Sequence, residues 1–86
     1  QAPENARYAY VYAVALHSAG KPDAALAVLR AAGKRHPADL DILNALIAIS
    51  RERGDSKGAL AYAKQAAALL PDNQEIGHLV AELQGR

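Results

Sequence analysis

Apolar residues recur along this chain at intervals of three and four, the spacing of one face of an α-helix. Ala9, Tyr12, Ala13 and Leu16 hold that register between residues 6 and 19. Ala25, Leu26, Leu29 and Ala32 hold it between 23 and 35, and Leu43, Leu46, Ile47 and Ser50 between 40 and 53. Leu60, Ala63, Ala67 and Leu70 follow between 57 and 70, and Ile76, Leu79, Val80 and Leu83 between 74 and 84. The pattern predicts five helices with these apolar residues in helical register, those of the third turned inward.

The breaks between the sets carry helix punctuation. Gly20-Lys21-Pro22 ends the first helix and opens the second, because glycine permits the left-handed stop and proline suits a first helical turn. His36-Pro37 closes the second, since the residue before proline is pushed out of the α region. Asp39 is a candidate N-cap for the third helix. Gly54-Asp55-Ser56 makes the next turn, with Asp55 or Ser56 as cap, and Asn73 opens the fifth helix.

This punctuation is periodic. Pro3, Pro37 and Pro71 stand 34 residues apart, as do Gly20 and Gly54. Ala25, Leu26, Ala27, Ala32 and Ile42 recur at the same offset as Ala59, Leu60, Ala61, Ala66 and Ile76. A fixed period of this length signals a repeat architecture of stacked supersecondary units. The organisation predicted is all-α: one repeat over 6–39, a second over 40–73, and the first helix of a third over 74–86. With that fifth helix unpaired, the chain is expected to be part of a longer protein.

A 34-residue helix–turn–helix period with these signals resembles the tetratricopeptide (TPR) repeat. The second period has Leu43 and Leu46 at the motif's first two large positions, Gly54-Asp55 at its turn, Ala59 and Ala66 at its two alanines and Pro71 at its proline. Ala9, Tyr12, Ala13, Gly20, Ala25, Ala32 and Pro37 hold the corresponding places in the first. Three departures stand out. Ile47 replaces a small residue and should widen the helix contact or displace a neighbour; Ser50 and Ala63 replace aromatics. The stretches YAYVYAVALHSAGKPDAALAVL and RHPADLDILNALIAISRERGD also resemble the C-terminal TPR tails of bacterial multihaem cytochrome c-like proteins. That likeness implies a periplasmic parent and a docking role; without it, the cytoplasm is expected.

Composition narrows the function. Alanine supplies 21 of 86 residues, favouring helices that approach closely. A formal net charge of +1 gives no reason to expect nucleic acid or an anionic membrane as partner. No apolar run approaches the roughly 18 residues of a membrane span. Cysteine is absent, so neither a disulfide nor a thiolate metal or haem site is available in these residues.

Chemistry is equally sparse. His17, His36 and His78 have no histidine three or four residues away to form a metal pair on one helical face, so surface or capping roles are expected. Asp39 and Asp41 suit a helix start, Glu52 and Asp55 a turn. Ser18, Ser50 and Ser56 have no nucleophile context. No cofactor is expected, and the chain is read as a non-enzyme.

The TPR resemblance implies that the first helix of each unit lines a concave binding face. On that basis the partner-binding residues are Arg7, Tyr10, Val14 and His17, joined by Asp41, Asn44, Ala48 and Arg51 and by His78. Ser18, Glu52, Glu75 and Glu82 fall at further groove positions of the same helices. Tyr12 is expected in the core. Tyr10 suits either recognition or packing against a preceding repeat. The family's clamp for chaperone-tail carboxylates is missing, because its basic and amide positions hold Tyr10, Val14, Ala45, Glu75 and Leu79. The partner expected is a protein or peptide of another kind. The alternative is an assembly tail, with Leu79, Val80 and Leu83 leaving apolar surface bare and allowing weak self-association through the fifth helix.

Overall fold

The computed structural model describes residues 6–85. Five helices form in chain order: α1 (Ala6–Ser18), α2 (Pro22–Arg35), α3 (Leu40–Glu52), α4 (Ser56–Leu69) and α5 (Gln74–Gln84). Pro3, the first of the periodic prolines, and Arg86 lie outside the described residues.

The helix ends show why the period is so regular. Gly20 and Gly54 adopt φ of 81° and 78°, the left-handed stop that lacks a Cβ penalty only in glycine. Around each, the same two bonds close the helix. Gly20 N–H donates to His17 O and Lys21 N–H to Leu16 O; Gly54 N–H donates to Arg51 O and Asp55 N–H to Ser50 O. The longer loops match as well. His36 and Leu70 cap α2 and α4, each donating its backbone N–H to the carbonyl of Ala32 or Ala66. Asp39 and Asn73 then cap α3 and α5, accepting from Ile42 N–H at 3.0 Å and Ile76 N–H at 2.9 Å. Asp55 caps α4 by accepting from Gly58 N–H at 2.9 Å. Each such cap satisfies an amide that the helix itself leaves orphaned.

Each helix packs on its chain neighbours, and α1 also reaches α3. Short loops make successive helices antiparallel. Arg53, at the end of α3, accordingly pairs with Asp23, at the start of α2, at 3.1 Å. One core joins Ala13, Ala25, Leu26, Leu29, Ala32, Ile42, Leu46 and Ile49; a second joins Ile47, Ala59, Ala63 and Leu83. Tyr62 packs against both, and its hydroxyl accepts from Arg30 Nε at 3.3 Å, tying α2 to α4. Ile47 and Ala63 now explain each other: the large residue in one helix meets two fully buried alanines, 59 and 63, in the next.

Several expectations about burial need correction or addition. Tyr12 is not core but 58% exposed, because α1 meets α2 through Ala13 and Ala9 and nothing among the described residues covers its far side. Leu70 is exposed: it has left the helix to cap it, with φ of −128°, and Ala66 takes the buried place. Leu83 is buried, not bare, and Leu79 and Val80 pack beside it, since α4 alone covers that side of α5. Ile42 and Ile49 are buried too, because α3 is flanked by α2 and α4 and must present apolar surface to both.

Candidate partner-binding face

Two side-chain pairs identify the face shared by the odd-numbered helices. His17 Nε2 lies 2.6 Å from Glu52 Oε1, linking α1 to α3. Arg51 lies 3.4 Å from Glu82 Oε2, linking α3 to α5. His17 and Arg51 occupy the same place in their repeats, 34 residues apart. Each reaches from the last turn of one helix to a carboxylate near the end of the next odd helix, so these helices run side by side. The His17 contact is an ion pair only when the imidazole is protonated.

The remaining expected residues follow from the same helical rows. Arg7, Asp41 and Glu75 are equivalent by repeat, as are Tyr10, Asn44 and His78, and Val14, Ala48 and Glu82. All nine are exposed. Tyr10 is 37% and Val14 44% exposed, so this side of α1 keeps apolar surface in water. Toward α5 the face turns acidic, with Glu75 and Glu82 where α1 has Arg7 and Val14.

Sequence reasoning placed Glu52 and Glu82 on the concave face as separate residues of α3 and α5, with no partner assigned to either. Their role as acceptors for the neighbouring helix is a relation across 35 and 31 residues, which helical periodicity does not encode. The repeat held one usable signal, a basic residue recurring at 17 and 51. Ala45 and Leu79, two of the positions that a carboxylate clamp would use, pack against the cores instead. His36 caps α2 through its backbone, and His78 is exposed. Among the described residues no group of three or more acidic, histidine or cysteine side chains could hold a metal ion. No helix there is long and apolar enough to cross a membrane.

The family model for the tetratricopeptide repeat matches residues 6–49. No curated protein and no solved structure matches the chain significantly, so the likeness to cytochrome tails has no counterpart among them.

Proposed function

The chain belongs to the tetratricopeptide repeat family, and from that premise we propose that the face of α1, α3 and α5 binds a protein or peptide. Repeats of this family act as interaction and scaffold modules and are typically non-catalytic. On this proposal the domain comprises repeats at 6–39 and 40–73 and the leading helix of a third at 74–86. The observation that carries the proposal is apolar surface kept exposed at Tyr10 and Val14, on the face that His17–Glu52 and Arg51–Glu82 hold together. Tyr10, Val14 and Ala48 supply apolar contact, and Asn44 supplies both a donor and an acceptor for a peptide backbone. Arg7, Asp41, Arg51, His17 and His78 set charge and register around them.

A photo-reactive amino acid placed at Tyr10 tests this in cells. Discrete adducts are expected from position 10 and none of them from Lys64, which is exposed on α4. Identical adducts from both positions would sink the proposal. An acidic C-terminal peptide is expected not to bind, and micromolar affinity for one would overturn the exclusion of clamp chemistry.

A second reading, assembly with another helix, is favoured by a different observation. Tyr8, Val11 and Tyr12 lie bare on α1 at 62%, 56% and 58% exposure.

A further inference from the structure

Charge is sorted by helix in this molecule. The leading helices α1, α3 and α5 carry two arginines, Arg7 and Arg51, against four carboxylates, Asp41, Glu52, Glu75 and Glu82. The following helices α2 and α4 carry five cations, Arg30, Lys34, Arg35, Lys57 and Lys64, against Asp23 alone. The formal net charge of +1 conceals this, because the two excesses have opposite sign. Part of the sorting is local. Asp41 and Glu75 stand in the first turns of α3 and α5, where a carboxylate suits the helix dipole. The dipole does not explain the rest, since Arg7 and Lys57 stand in the first turns of α1 and α4.

The face of the leading helices is also uneven from one edge to the other. Tyr10 and Val14 keep apolar surface exposed on α1. Asn44 and Ala48 hold the equivalent places on α3, and His78 and Glu82 hold them on α5. Glu52 and Glu82 are engaged by His17 and Arg51. Asp41 and Glu75 form no ion pair with a described residue. They are repeat equivalents on helices that run side by side, so one cation lying between α3 and α5 reaches both. Helix spacings of about 8–10 Å put α5 roughly 16–20 Å from α1. An extended segment of about five or six residues spans that distance.

We infer that the occupant of this face is an extended basic peptide. It places a large apolar side chain on Tyr10 and Val14, and a lysine or arginine about five or six residues away between Asp41 and Glu75. This inference rests on the binding face proposed above and states the chemistry of its partner. Asn44, midway, offers a donor and an acceptor to the peptide backbone. The cations of α2 and α4 repel the same peptide, so charge also selects the side of the molecule that it meets. An acidic peptide has the opposite preference.

A random dodecapeptide library displayed on phage and selected on the 86-residue chain tests this. Retained clones are expected to pair a leucine or aromatic residue with a lysine or arginine about five or six positions away. A synthetic peptide copied from the most enriched clone should bind Glu75→Gln about two- to fivefold more weakly, the range of an exposed ion pair. That loss should shrink with added salt. Changing the peptide's cation to glutamate should weaken binding to the parent chain and restore it to Glu75→Lys. The Glu75→Gln arm decides alone where Glu75→Lys unsettles the first turn of α5. Lys64→Gln, on α4, should bind as the parent does. Clones that lose affinity for Tyr10→Ala but show no basic preference, or an acidic one, overturn the inference and leave the binding face standing. Clones indifferent to Tyr10→Ala, or no retained clone at all, overturn both.

Discussion

The two end helices of the molecule occupy equivalent places in the repeat and yet differ in what they leave in water. In α5 the residues facing the preceding helix are buried or half-buried, with Leu83 at 8% exposure. In α1 the equivalent residues stand in solvent, Tyr8 at 62% and Tyr12 at 58%. Neither helix has a neighbour on both sides among the described residues. What separates them is which neighbour is present: α5 has α4 before it, whereas α1 has only α2 after it. In α3 both sides are apolar: Ile42, Leu46 and Ile49 share a core with Leu26 and Leu29 of α2, and Ile47 shares one with Ala59 and Ala63 of α4. With α4 against it α5 exposes little of this stripe, whereas α1, with no described helix on that side, leaves Tyr8 and Tyr12 in water.

That contrast can be broken most directly at repeat-equivalent positions. Ile42→Ala and Leu46→Ala, at 0% and 1% exposure, should each cost about 2–5 kcal/mol by urea unfolding. Tyr8→Ala and Tyr12→Ala, at the matching places in α1, should stay within about 0.5 kcal/mol. Comparable losses at both sets would mean that the α1 stripe is already packed. Next in size is Leu83→Ala, expected to cost about 2–3 kcal/mol if α5 is docked as tightly as its burial indicates. A negligible change there would erase the difference between the two ends.

A smaller effect of opposite sign is expected at Ser50. Its hydroxyl is buried at 0% exposure and has no hydrogen-bond partner. Ser50→Ala should raise stability by about 1 kcal/mol, because it deletes a desolvated, unsatisfied group and keeps the backbone carbonyl that holds Asp55. A loss of stability in the same unfolding assay would show that the hydroxyl is satisfied in solution. The smallest effect belongs to the pair between the partly exposed side chains of Arg51 and Glu82. A double-mutant cycle with Arg51→Ala and Glu82→Ala should give a coupling of about 0.2–1 kcal/mol, shrinking with added salt. A salt-independent coupling would indicate a contact other than the ion pair.

The five helices, their turns and most of their caps were legible without the fold because the cues are local. Gly20 and Gly54 dictate a left-handed stop through their own sterics, and Asp39, Asp55 and Asn73 reach amides only three residues away. The inward face of α2 and part of that of α3 were legible for the same reason, since an amphipathic stripe is written at intervals of three and four. Of the candidate face, the sequence placed the residues on rows of leading helices but not the pairs that join those rows.

What chain order alone determined is thus a set of helices of known length, hinged at known points and marked with a 34-residue period. Only the tertiary structure decided which stripe of each helix finds a partner. Tyr12 and Leu83 sit at apolar positions on amphipathic helices, and periodicity treats them alike. Burial is a property of the neighbouring helix, and α4 lies against Leu83 while no described helix lies against Tyr12. For the same reason His17 and Arg51 read only as residues of the concave face until the fold laid Glu52 and Glu82 beside them.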